Sequence, residues 1–175
     1  MPKAVRLTCV RHAETKANRD GLLQGQLDIP LSDIGKEQAT KLGKRIADLK
    51  FDYWFTSDLS RARETADIAA SHNQAPPTEV HRNVLLRERS FGSLEGMPIK
   101  EFRQAAAKTK LPMSQFVPPN GESEEEMSQD GEGTEWEVTE EEVQGDEKKY
   151  HLHIDVHSFH DADHLANSPK SAIAL

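Results

Sequence analysis

Between Glu122 and Glu147 the chain carries thirteen acidic residues and no basic one. That run sets how much of its 175 residues can build a core. Like charges repel, and the few apolar side chains there bury too little surface to offset the entropy of ordering. A disordered acidic segment is therefore expected over residues 122–149. A histidine-rich tail of open structure follows over 150–175, where Leu152, Ile154 and Val156 alternate as a short strand would. The fold must come from residues 1–121, which is enough for one domain. The charge divides at the same place. Met1 to Gly121 holds 19 basic and 14 acidic residues, whereas Glu122 to Leu175 holds 3 and 16, for a net charge of −8. A mildly basic body suits an anionic ligand. No apolar run is long enough to span a membrane, and the N-terminus has no signal-peptide pattern. Cys9 is the only cysteine, so no intrachain disulfide can form. A cytoplasmic location and a monomer are expected.

Within the body, strand and helix patterns alternate. The apolar run Val5 to Val10 reads as a buried strand containing Cys9, because β-branched residues suit a pleated surface. It stops at Arg11-His12. A strand that ends this way delivers a guanidinium and an imidazole to one sheet edge, where open α/β sheets bind ligands. Taken alone, His12 reads as a histidine capping a strand. Ser32 is a good N-cap, with Asp33 in the first turn, for a helix whose stripe is Ala39, Leu42, Ile46 and Leu49. Lys36, Lys41, Lys44 and Arg45 lie off that stripe. No aromatic residues are interleaved among them, so no nucleic-acid surface is expected. Tyr53 to Thr56 reads as a second strand. It leads through Ser57-Asp58-Leu59-Ser60 into a helix with Arg61 on its first turn, an arrangement that offers backbone N–H groups and a charge to an anion. Pro98 opens a further helix to about Lys108. The alternation predicts an α/β fold, a sheet flanked by helices.

Four stretches resemble one family. Arg11-His12-Ala13-Glu14 with Asn18 is similar to the Arg-His-Gly-Glu motif of the histidine phosphatase superfamily, which includes phosphoglycerate mutases and fructose 2,6-bisphosphatases. Ala13 stands where that motif has glycine. Ser57 to Ala66 resembles the family's Ser-x-Leu-x-Arg-Ala-x-x-Thr-Ala pattern. Leu86 to Gly96 resembles Leu-x-Glu-x-x-x-Gly-x-x-Glu-Gly, and Pro118 to Ser123 resembles Pro-Pro-Gly-Gly-Glu-Ser, with Asn120 for a glycine. Asn tolerates the left-handed backbone needed there. The likeness covers residues 1 to about 123 and is strongest to the fructose-2,6-bisphosphatase branch, whose members regulate glycolysis and apoptosis.

The resemblance implies a phosphatase acting on a phosphorylated sugar, fructose 2,6-bisphosphate first, with no cofactor and no metal. His12 would be the nucleophile and Glu88 the acid. Arg11, Asn18, Arg61 and the loop residues Gln24 and Gly25 would bind the phosphate. Arg63 would project elsewhere. A mutase-like enzyme, or a non-catalytic member that acts by binding, is the alternative. The family also uses a second histidine in a Ser-His-Gly turn, and this sequence contains no Ser-His-Gly. The implied fold is therefore incomplete. His153 with His157, or His160 with His164, has the spacing of a metal pair, but a tract of this composition is expected to be a flexible tail.

Overall fold

The computed structural model describes residues 8–131, 136–139 and 149–152. In chain order the elements are α1 (Lys16–Asp20), α2 (Asp33–Arg45), β1 (Trp54–Ser57), α3 (Ser60–Ser71), β2 (Val80–Asn83), α4 (Ile99–Thr109), α5 (Glu124–Gly131), β3 (Trp136–Thr139) and β4 (Lys149–Leu152). Short 3₁₀ turns cover Val84–Leu86, Gly92–Leu94 and Met113–Gln115. β1 and β2 pair in parallel, with Trp54 opposite Val80 and Ser57 opposite Asn83. Parallel strands need a crossover, and α3 supplies it. The consequence decides where chemistry can occur. Both strands end at the same sheet edge, so the start of α3 and the segment after β2 meet there.

α2 forms as its sequence predicts. The Ser32 hydroxyl accepts the Gly35 N–H at 3.0 Å. Ala39 and Ile46 are buried, while Leu49, past the helix end, is exposed. α2 packs on α3. Ile46, Trp54, Ala69 and Ala70 form one core cluster, with Leu42, Phe51 and Val80 against it. A second cluster, Phe91, Phe102, Ala106 and Phe116, anchors α4 beneath the loops that follow β2. The apolar face of α4 thereby fixes the segment holding Glu88.

Gly35 marks a close approach. A Cβ built there would lie 2.0 Å from the Glu14 carbonyl oxygen, so α2 sits directly on the loop after His12. Gly35→Ala must push those two backbones apart. The expected cost is about 1–3 kcal/mol, the usual range for overpacking, seen as a lower Tm. An unchanged Tm would show that the loop yields freely.

Two expectations change. Thr8 to Val10 lies outside regular structure, with Val10 buried and Cys9 only half-buried. Val5 to Leu7 falls outside the described residues. An apolar β-branched run predicts burial, but a strand also needs a partner edge. Within the acidic segment, where no regular element is expected, the structure has α5 and β3, and β3 pairs antiparallel with β4, which starts at the segment's last residue and runs into the tail, with Trp136 opposite Leu152. The start of α5 has a local cause. The Ser123 hydroxyl accepts the Glu126 N–H at 3.0 Å, and the Glu126 carboxylate accepts the Ser123 N–H at 2.8 Å. This capping box, with three glutamates in the first turn, uses the positive helix end to offset part of their repulsion. Asn120 has φ +61°, in the left-handed region. The paired histidines from His153 onward lie outside the described residues. No helix among the described residues is long and apolar enough to cross a membrane.

Candidate active site

Arg61 is the best-buried charge at the shared sheet edge, 2% exposed on the first turn of α3. Burial of a guanidinium requires partners, and here backbone carbonyls provide them. Nη1 donates to Leu27 O at 2.8 Å and Nη2 to Gly25 O at 2.7 Å. Nη2 also lies 3.6 Å from Glu88 Oε2. Arg61 is thus held rigidly by the 25–27 loop, with donors left over, facing the carboxylate that follows β2. It pairs with neither Asp58 nor Glu64. Asp58 accepts from Arg87 Nε at 2.7 Å, and Glu64 accepts the Leu31 N–H at 3.3 Å. Among the described residues Arg63 reaches only the Ser60 hydroxyl, at 3.3 Å.

His12 joins this pair through Thr65. The Thr65 hydroxyl donates to Arg61 O at 2.7 Å and accepts the Ala13 N–H at 3.0 Å. One buried threonine therefore ties the Arg11-His12-Ala13 turn to α3. His12 Nδ1 lies 2.8 Å from Ala13 O. A carbonyl can only accept, so Nδ1 bears the proton and Nε2 keeps its lone pair. Burial lowers the His12 pKa to about 4, with Arg61 and Arg11 adding to the fall against the Ala13 hydrogen bond. The ring is neutral at pH 7 and its Nε2 is a competent nucleophile.

Glu88 moves the other way. Desolvation raises its pKa, opposed by Arg61, Arg11 and Arg89. Its side chain still keeps 41% exposure, so the surrounding loops desolvate it only in part. Its neighbouring arginines would favour the carboxylate if they faced it, but both are engaged elsewhere. Arg87 turns to Asp58, and Arg89 lies over the Phe91 ring at 4.7 Å. Arg87 has extended backbone, and Glu88 belongs to no strand. Arg11 is exposed and makes no ion pair among the described residues. It acts electrostatically on both His12 and Glu88.

Asn18, Gln24 and Gly25 each have a partner within the fold. Asn18 caps α1, its Oδ1 accepting the Thr15 N–H at 3.0 Å, which leaves Nδ2 without a partner among the described residues. Gln24 is buried and takes the Thr15 hydroxyl at 2.7 Å, so its side chain serves the loop. Gly25 contributes a carbonyl to Arg61 at φ +52°. The α3 N-terminus is not open to an anion either. Asp28 accepts the Ser60 N–H at 2.6 Å and the Ser60 hydroxyl at 2.9 Å. Thr65 stood within a quoted motif and could have been found there. Asp28 offered no local signal.

No group of histidine, cysteine and carboxylate side chains among the described residues could hold a metal ion. What the cluster can do is hold an anion beside a neutral imidazole and a protonatable carboxyl.

Residues 7–146 match the histidine phosphatase superfamily (branch 1). The chain is 44% identical over 123 residues to fructose-2,6-bisphosphatase TIGAR B of Danio rerio, over 69% of this chain and 48% of that protein. It is 38% identical over 106 residues to a broad-specificity phosphatase of Saccharomyces cerevisiae, over 59% of this chain and 46% of that protein. Its fold resembles that of YhfR of Bacillus stearothermophilus, with a TM-score of 0.59 and 31% identity, over 70% of this chain and 61% of that chain. The chain spans about half the length of the curated relatives it matches.

Proposed function

This chain belongs to the histidine phosphatase superfamily, and from that premise we propose that it is a phosphatase for a phosphorylated sugar, with fructose 2,6-bisphosphate as substrate. The observation that supports this reading is the meeting of a neutral His12 with the Arg61–Glu88 pair at one sheet edge. His12 Nε2 attacks phosphorus while the bond to the sugar oxygen breaks. Glu88 gives its proton to that oxygen, and a phosphohistidine and a free hydroxyl result. A water then attacks the phosphorus and gives its proton to Glu88. The N–P bond breaks, releasing orthophosphate and restoring neutral His12. Arg11, Asn18 and Arg61 hold the equatorial oxygens and neutralise the charge that builds on them. Removal of this substrate would lower glycolytic flux. The protein would act as a cytoplasmic monomer, its folded domain ending near the start of the acidic segment.

The sequence feature that favours a second reading is the missing Ser-His-Gly. Loss of one preorganised donor to a transferring group costs about 10²–10³ in rate. A chain without that imidazole would turn over slowly or serve as a phosphate-binding member. Phosphate release from fructose 2,6-bisphosphate by the purified chain, beside product formation from 3-phosphoglycerate, separates the readings. Release from the sugar alone is expected, at about 10²–10³ below a full-length relative. Isomerised phosphoglycerate would instead make it mutase-like. Tight phosphate binding without turnover on either substrate would make it a binder.

A further inference from the structure

Two carboxylates outside the chemistry join the loops that carry it. Glu95 Oε1 accepts three hydrogen bonds, from Gln26 N at 2.9 Å, Phe91 N at 2.9 Å and the Ser90 hydroxyl at 3.1 Å. Glu122 accepts from Ser90 N at 2.7 Å and from Gln26 Nε2 at 3.1 Å. Each side chain therefore spans the same gap, between the loop that cradles Arg61 and the loop that follows Glu88. Backbone hydrogen bonds join the two loops beside this brace, from Leu23 N to Met97 O at 2.8 Å and from Gly96 N to Leu23 O at 2.7 Å, whereas at Gln26, Ser90 and Phe91 the two carboxylates carry the join. Gly25 supports the same geometry independently. A Cβ there would lie 2.2 Å from Glu95 Oε1, so the residue whose carbonyl holds Arg61 is seated directly against that carboxylate.

We propose that Glu95 and Glu122 are positioning residues that set the separation of Arg61 and Glu88, and so govern proton delivery to the leaving oxygen more than phosphate binding. This deepens the phosphatase reading and rests on it. Ordinary surface carboxylates would be free to move, whereas these two accept from backbone N–H groups that would otherwise lack partners. A displacement of about 1 Å at a reacting group can cost about 10²-fold. Of the two, Glu122 is the cleaner test. Glu95 acts electrostatically on Glu88, whereas Glu122 is not among the groups that shift it.

The full chain would be compared with Glu122→Ala, Glu122→Gln and Glu122→Asp. Sugar-phosphate hydrolysis by Glu122→Ala should fall about 10–100-fold, chiefly in kcat. Hydrolysis of p-nitrophenyl phosphate, whose phenolate leaves without a proton, should change less than about threefold. Inorganic phosphate should bind within about threefold of the original affinity. The Glu88 carboxyl, followed by ¹³C NMR, should titrate at least about half a unit lower, because a released side chain reaches water and loses part of its desolvation. Glu122→Gln keeps an acceptor and should restore most of each property. If the alanine variant does not fold, Glu122→Asp, one methylene too short to span both loops, should show the same pattern at smaller size. Equal losses on both substrates with an unmoved Glu88 midpoint would overturn the proposal. If the unmodified chain turns over neither substrate, the phosphatase reading fails on its own. The Glu88 midpoint and its rescue by Gln then still decide whether the brace positions Glu88.

Discussion

Replacing His12 with alanine is expected to eliminate phosphate release, by at least about a thousandfold, as loss of a nucleophile does elsewhere. The acid-labile phosphoenzyme should vanish with it. The fold should survive, because His12 is half-buried and its recorded hydrogen bond is to the adjacent carbonyl. Circular dichroism and Tm close to those of the unmodified chain would confirm that chemistry alone was lost. A phosphoenzyme that persists in His12→Ala would place the nucleophile elsewhere.

The pH dependence has a definite sign. Attack requires His12 unprotonated, and its pKa is lowered to about 4, so kcat/KM should rise with pH through that value. Proton donation requires Glu88 protonated, and its pKa is raised, so kcat/KM should fall again as Glu88 ionises. The bell should therefore have its acid limb near about 4 and its alkaline limb above the ordinary carboxylate range. In Glu88→Gln the alkaline limb should disappear. Its survival there would assign the acid to another group.

Arg61→Ala carries the second large effect, and it acts on two properties at once. Phosphate loses a fixed cation, and vanadate or inorganic phosphate affinity should fall about 100-fold, within the range for losing a charged hydrogen bond. Stability should fall as well. The Gly25 and Leu27 carbonyls lose their buried donors, and Glu88 loses its ion-pair partner, at a combined cost of about 2–5 kcal/mol. Arg61→Lys should recover little, since an ammonium cannot reproduce the planar fork that reaches both carbonyls and an anion. Arg63→Ala is the matched control. It loses one contact to Ser60 and should bind phosphate nearly as before. Equal losses in the two alanine variants, read by isothermal titration with vanadate, would mean the pocket arginine is misassigned.

The sequence by itself determined the elements whose causes are local. α2 followed from Ser32 and a stripe spaced by three and four, and α3 and α4 from similar repeats after a polar turn or Pro98. Capping and amphipathic spacing act within a few residues, so they can be read from a linear string. The pairing of Arg61 with Glu88 in one site was legible as family motifs, and Asn120 as a left-handed position. α5 has a local signal as well, Ser123-x-x-Glu126, which a reading from charge alone passes over. Only the tertiary structure decided the rest. Thr8 to Val10 lies outside regular structure, with Val10 alone of the three buried. Gln24 turned inward to Thr15. Asp28 crossed to cap a helix that begins at Ser60, and Glu95 and Glu122 reached Gln26 from 69 and 96 positions away. A carboxylate accepts a hydrogen bond from whatever donor the packed chain brings within about 3 Å. For these residues that donor is chosen by how α3, β2 and α4 pack, which no neighbouring residue records.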